Sequence, residues 1–277
     1  MQFSNILVII QRSNGDVLLS ASLIKQISSY FNPKSIDLLV NDDTLAVAKS
    51  IPNIKKIFTF SYKDKRENRW KQEKNIFKNI YRKYDLSINL TASDRSVLYA
   101  LIASKYSISA IEGFKYKSWW KSLLLTHSYT FDIKKHILLN NLEPLKLLGC
   151  KQINKQLAPQ SSESSAATIT RRLQKLKIKN FIIFHPSAQY SYKTYPALSR
   201  NELLRLLNEL GVPIIVTGGN SDIDILIKKN LPKLENIFNW IGKTSIDEYI
   251  SLSQFSDAYI GMDTLNMHIA ASQNKRI

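Results

Sequence analysis

The sequence predicts an α/β fold made of two doubly wound domains, and three observations carry that expectation. Short apolar runs rich in β-branched residues alternate with longer segments of helical period, the pattern of parallel sheets covered by helices on both faces. The alternation lapses at residues 156–168 (QLAPQSSESSAAT), where Pro, Ser and Gln replace bulky apolar side chains, and then restarts. A chain of 277 residues with 44% hydrophobic content is long enough to bury two cores.

In the first half, strands are predicted at Ile6–Ile10, Ile36–Val40, Lys56–Phe60, Leu86–Leu90 and Ser107–Ile111. Helical stretches such as Val17–Tyr30 and Arg66–Lys83 separate them, and a helix over 136–149 closes that half. The expected division is residues 1–157, a linker at 158–168, and a second domain at 169–277. There the strands are Phe181–His185, Pro213–Thr217, Ile237–Trp240 and Ala258–Gly261, with helices at Arg200–Leu210, Asp222–Lys229, Ile246–Gln254 and Leu265–Ser272. The ending Asn274-Lys275-Arg276-Ile277 puts an apolar residue after a basic pair, which reads as the start of another buried strand and of a truncated chain.

With 39 basic against 22 acidic residues the formal net charge is +17, which calls for an anionic partner: nucleic acid, a phosphorylated glycolipid or an acidic membrane surface. Charge alone does not choose among them, but no DNA- or RNA-binding motif is present, so nucleic acid is disfavoured. The single cysteine, Cys150, rules out an internal disulfide and a cysteine-rich zinc site. The opening apolar run is too short for a signal peptide or a membrane span, so a soluble cytoplasmic protein is expected, with peripheral membrane association open.

Four segments carry candidate chemistry. In ILVIIQRSNGDVLLSASLIKQI a buried strand leads through a polar turn into a helix, which puts Asp16 at the carboxyl edge of the sheet, where ligands bind and a carboxylate can act as a base. The competing reading is that Asp16 caps the helix. In FIIFHPSAQYSYKTYP the loop after the strand holds Ser187, Gln189 and Lys193, and a lysine there can neutralise a diphosphate, although a solvated surface lysine is the commoner case. His185 and Pro186 are read as shaping the strand exit. In IGMDTLNMHIAAS, Asp263, Thr264 and Asn266 crowd a helix entrance with His268 one turn on, a place suited to a phosphate or to ordinary capping. Lastly, Lys115-Tyr116-Lys117-Ser118-Trp119-Trp120-Lys121 interleaves aromatics with lysines, as at a boundary between water and anionic headgroups. A solvated helix face with two partly buried tryptophans is the alternative.

Two signals are discounted. Asp222-Ile223-Asp224 imitates a metal-binding DxD but follows Ser221 at a helix start, where acids are explained by capping and by the helix dipole, and no clustered metal site is visible. Thr217-Gly218-Gly219 lacks the spacings of dinucleotide and P-loop sites.

Together these segments resemble the family 9 glycosyltransferases, which include the ADP-heptose:lipopolysaccharide heptosyltransferases, and the likeness leans toward the third heptosyltransferase subtype. ILVIIQRSNGDVLLSASLIKQI resembles the opening strand, Gly-Asp turn and helix; YDLSINLTASDRS a first-domain strand; HPSAQYSYKTYP the donor-binding loop; VTGG the next strand exit; and IGKTSIDEYISLSQFSDAYIGMDTLNMHIAA the closing signature. The resemblance implies a GT-B fold of two Rossmann-like domains facing a cleft, the second incomplete because the family continues past Ile277. It implies Asp16 as general base, and Ser187, Gln189, Lys193, Thr244, Asp263, Thr264, Asn266 and His268 as donor contacts. Lys115, Lys117, Trp119, Trp120 and Lys121 would meet the acceptor or the membrane. Leu265 stands where the family usually has Gly, and Ala188 and Gln189 replace hydroxyl residues. The implied reaction is inverting, metal-independent transfer of heptose from ADP-L-glycero-D-manno-heptose to the phosphorylated inner core of lipopolysaccharide at the inner membrane, with no cofactor. The alternatives are transfer of another nucleotide-activated sugar, or an inactive remnant that binds nucleotide or glycolipid.

Overall fold

A computed structural model describes residues 2–113, 115–150, 153 and 159–277, with side chains not described at 115–117. The chain divides into two compact units, Met1–Leu157 and Ala158–Ile277.

In the first unit the strands are β1 (Asn5–Ile10), β2 (Ser35–Asn41), β3 (Lys56–Phe60), β4 (Tyr84–Asn89), β5 (Ser104–Ile111) and β6 (His127–Thr130). They form one parallel sheet in the order β3-β2-β1-β4-β5-β6. The helices are α1 (Asn14–Leu19), α2 (Ala21–Phe31), α3 (Leu45–Ala48), α4 (Tyr62–Glu67), α5 (Arg69–Ile80), α6 (Asp94–Ala103), α7 (Lys115–Leu124) and α8 (Ile137–Leu147). β1 is a continuous apolar run because helices cover both faces of the sheet, and Ile6 to Ile10 are wholly inaccessible to solvent. Burying each such side chain stabilises the unit by roughly 1.5–3 kcal/mol.

Two helices expected as single rods are broken. Ser20 interrupts the first, its hydroxyl donating to Val17 O (2.7 Å), back-bonding that competes with the helical ladder and bends it. Asn68, at φ −142° and ψ 49°, separates α4 from α5. Helix α7 and strand β6 are additions to the predicted elements.

The second unit contains α9 (Glu163–Lys175), β7 (Ile182–His185), α10 (Ala197–Glu209), β8 (Ile214–Val216), α11 (Asp222–Lys229), β9 (Ile237–Asn239), α12 (Ile246–Phe255), β10 (Ala258–Gly261) and α13 (Leu265–Ser272). Its parallel sheet has the order β10-β7-β8-β9, and Arg276 adds a parallel bridge to Ala258 on the outer side of β10. The linker expected at 158–168 is corrected by α9, which begins at Glu163. Ser162 caps it, accepting from Ser165 N (3.2 Å), while Asp247 accepts from the Ser162 hydroxyl (2.6 Å) and Ile169 and Leu173 are buried. Small residues read as a linker there, yet Ser is a preferred cap and Ala the strongest helix former.

Each sheet reverses its strand order once, between β1 and β4 in the first unit and between β7 and β10 in the second. Such switch points open a crevice at the carboxyl ends of the strands. Among the described residues, no helix is long and apolar enough to cross a membrane.

Candidate functional site

At the switch point of the first unit, Asp16 lies in the first turn of α1, just beyond β1. The helix is capped by Ser13, whose hydroxyl accepts from Asp16 N at 3.5 Å, so the cap does not use the Asp16 carboxylate. That carboxylate accepts instead from Arg12 Nε (3.0 Å), with 18% of the side chain exposed. The Arg12 guanidinium sits 4.7 Å from the Phe131 ring centroid, so the ion pair is braced from behind. Beside it, Thr91 at the end of β4 accepts from Gln11 N (2.9 Å), tying the two strands that flank the switch point. Arg12 is not among the candidates the sequence offers, and the signal for it there is its place at a strand exit four residues before Asp16.

At the switch point of the second unit, β7 and β10 deliver the predicted residues around His185. Its Nδ1 lies 2.8 Å from the Asn266 amide nitrogen and 3.0 Å from Thr217 Oγ1, and its Nε2 lies 3.4 Å from Ser187 Oγ. The same amide nitrogen, which can only donate, also lies 3.2 Å from Nε2, so either ring nitrogen can accept from it. Ser187 and Asn266 are thus gathered around His185, which the sequence predicts only to shape the strand exit. Gly261 permits this approach, since a Cβ there would meet His185 O at 2.6 Å.

Burial lowers the His185 pKa to about 4, against the opposing pull of Asp224 and Thr217. Burial also works against ionising Asp224, but hydrogen bonds from Ser187 and Ser221 and the nearness of His185 prevail and hold its carboxyl below the ordinary value. Asp224 completes a capping box with Ser221, whose hydroxyl donates to it at 2.6 Å. Gly218 makes room for it, a Cβ there falling 2.6 Å from Asp224 Oδ1.

The His185 shift gives a pH prediction. Between pH 6.5 and about 4 the unfolded chain protonates this imidazole and the native one does not, so stability is full above 6.5 and falls with pH through that window. The expected loss is about 3 kcal/mol. Urea unfolding at successive pH values reads it, and His185→Asn should flatten the dependence there. The depressed carboxyls of Asp224 and Asp247 act in the same direction at lower pH, below their ordinary value of 3.8.

The remaining predicted donor residues are less enclosed. Gln189 and Lys193 are exposed, with Lys193 Nζ 6.0 Å from the Tyr192 ring centroid. Thr244 is partly exposed just ahead of the α12 cap. Thr264 occupies the cap position of α13 without a capping hydrogen bond, near the Tyr259 hydroxyl, which donates to Met262 O (3.1 Å). His268 Nε2 lies 3.9 Å from Asp263 Oδ1, and Asp263 is largely exposed.

The aromatic and basic patch on α7 needs correction. Lys121 has no exposed side-chain surface: its ammonium donates to Asp94 Oδ1 (2.6 Å), Glu112 Oε2 and Ala92 O (3.3 Å). It ties α7 to the start of α6 and the end of β5 and cannot meet a headgroup. Trp120 is partly buried against Val97, Ile111 and Leu125, whereas Trp119 is 65% exposed. Lys115 and Lys117 lie outside the residues whose side chains are described.

Residues 74–277 match the model of glycosyltransferase family 9 (heptosyltransferase). Among curated relatives, lipopolysaccharide heptosyltransferase 3 of Escherichia coli is 26% identical over 271 residues, covering 94% of this chain and 77% of that protein. Among solved structures, the family 9 glycosyl transferase of Veillonella parvula aligns with a TM-score of 0.83 at 18% identity, over 99% of this chain and 79% of that one. The E. coli heptosyltransferase WaaC with ADP-2-deoxy-2-fluoro heptose aligns with a TM-score of 0.78 at 16% identity, over 98% and 86%.

Proposed function

Because the chain belongs to glycosyltransferase family 9, and so is a glycosyltransferase of the GT-B fold, we propose that it transfers heptose from ADP-L-glycero-D-manno-heptose to the phosphorylated inner core of lipopolysaccharide, with inversion and without a metal. The observation that carries this reading is the Asp16 carboxylate, partly exposed at the carboxyl edge of the first sheet, held by Arg12 and free of capping duty. The curated relative is named for lipopolysaccharide and for heptose, and the WaaC structure holds an ADP-heptose analogue.

In the proposed reaction Asp16 takes the proton of an acceptor hydroxyl as its oxygen attacks the anomeric carbon, and the bond to the diphosphate breaks on the opposite face, releasing ADP. Lys193 and the free amides at the start of α13 would balance the charge growing on the leaving phosphates. With Asp224 engaged in the capping box, the Asp222-Ile223-Asp224 run does not present two free carboxylates, which supports the metal-independent reading. A lipid-borne acceptor places the enzyme peripherally at the cytoplasmic face of the inner membrane.

Calorimetric titration with ADP-heptose and ADP, using UDP- and GDP-hexoses as controls, tests the donor. Selective binding of the adenine nucleotides is expected, and Lys193→Ala should weaken ADP-heptose binding by roughly tenfold, about 1.4 kcal/mol. Preference for a UDP- or GDP-hexose would assign another sugar, and a folded protein that binds none of them would defeat the proposal.

A further inference from the structure

Helix α5 and the residue that ends it turn an aromatic stripe to solvent: Trp70 is 84% exposed, Phe77 44% and Tyr81 52%. At 3.6 residues per turn these three fall within about 40° of arc. Lys74, Lys78 and Lys71 follow on the adjoining arc, all exposed. The other side of the helix is anchored by buried Ile76 and Ile80. Glu73, the acid of α5, accepts from the Tyr99 hydroxyl (2.7 Å) and so points away from the lysines.

Bulky aromatics in register on an exposed helix, flanked by lysines, match a boundary between acyl chains and anionic headgroups, where rings settle and ammonium groups meet phosphate. A nucleic acid fits less well, because Phe77 and Tyr81 are stacked on each other (centroids 4.8 Å apart, 24° between planes) and each ring has a face already covered. A protein partner fits less well because lysines are depleted at interface cores. Topology adds a reason. In a parallel sheet all carboxyl ends share one edge, and α4 leaves β3 at that edge, so the Trp70 end of α5 lies toward the side of the unit that carries Asp16.

We propose that α5 is the helix by which this protein docks on an anionic bilayer, with Trp70, Phe77 and Tyr81 in the headgroup boundary and Lys71, Lys74 and Lys78 against lipid phosphates. The purpose of this docking, though not the docking itself, rests on the reading that the acceptor is a membrane-borne glycolipid.

Co-sedimentation with phosphatidylethanolamine–phosphatidylglycerol vesicles, against pure phosphatidylcholine, tests it without any lipopolysaccharide. Trp70→Ser/Phe77→Ser and Lys71→Gln/Lys74→Gln/Lys78→Gln should each lose at least about tenfold in binding to the anionic vesicles. Leu123→Ser/Leu124→Ser on α7, two exposed leucines outside the candidate site, should retain it, and all three variants should keep wild-type transfer to a soluble, delipidated core oligosaccharide. The proposal is overturned by wild-type protein that ignores anionic vesicles, by α5 variants that bind them as wild type does, or by a wild-type dimer that Trp70→Ser/Phe77→Ser converts to monomer, which would assign the stripe to a second copy. Wild-type protein that transfers to the soluble acceptor but does not dock on anionic vesicles would sink the membrane proposal alone. Intact docking with no transfer would sink the transferase proposal alone.

Discussion

Asp16→Asn is expected to lower kcat by about three orders of magnitude while leaving ADP-heptose affinity within about twofold, because a positioned general base supplies roughly 10²–10⁴ in rate. A thousandfold loss is about 4 kcal/mol of transition-state stabilisation. The substitution keeps the shape of the side chain and an oxygen for Arg12 Nε, which now lies 3.0 Å from the carboxylate, so it removes basicity and little else. Its effect on folding is bounded separately. A carboxylate in the first turn of a helix stabilises it by about 0.3–1 kcal/mol, and the Ser13 cap is untouched, so unfolding cannot account for a thousandfold loss. Asp16→Glu offers a second arm, since it restores a carboxylate displaced by one methylene, and misplacement of about 1 Å costs on the order of 10²-fold. Single-turnover rates on a soluble core acceptor, with donor affinity measured by calorimetry, give both quantities. Turnover of Asp16→Asn within tenfold of wild type would remove Asp16 from the mechanism.

The parts of the fold that were legible from sequence are those where the local signal and the global solution agree. β1 is a run of apolar residues and is buried on both faces; the helices at 222–229 and 265–272 begin where expected, the first behind the Ser221 capping box. The misses have local causes that periodicity does not register. The Ser20 hydroxyl competes with the backbone ladder, Asn68 leaves the helical region, and α9 hides in a stretch whose small residues have the composition of a linker.

The candidate site was legible as positions and not as partnerships. Asp16 and Lys193 follow strands, at the edge where a parallel sheet binds ligands, Asn266 stands at a helix entrance, and the family resemblance implies the donor roles of Ser187, Lys193 and Asn266. That Asn266 would be held by His185, 81 residues away, follows from β7 and β10 lying side by side, which no local pattern encodes. Lys121 shows the same limit more sharply: a lysine between aromatics resembles a surface group until the acids at positions 94 and 112 are folded against it.

That arrangement predicts an asymmetry in stability at α7. Asp94→Asn/Glu112→Gln leaves the Lys121 ammonium, which has no solvent contact, without its counter-charges; breaking a fully buried pair costs about 3–5 kcal/mol, and because both acids here are partly exposed the loss falls at the lower end, about 3 kcal/mol. Lys121→Met should cost less, about 1–2 kcal/mol. It removes the buried charge itself, keeps the apolar stem, and leaves behind an Asp94 that is 73% exposed and a Glu112 that is 35% exposed, both within reach of water. Were Lys121 a solvated surface lysine, either change would fall within about 0.5 kcal/mol. Urea denaturation of the full chain, followed at the transition of the first unit, distinguishes the cases. The double acid variant should be the less stable of the two because a buried cation without a counter-ion is worse than an apolar side chain of similar length. Equal and small effects would return Lys121 to the surface and restore α7 as a basic patch, whereas the expected order confines it to bracing α7 against α6 and β5.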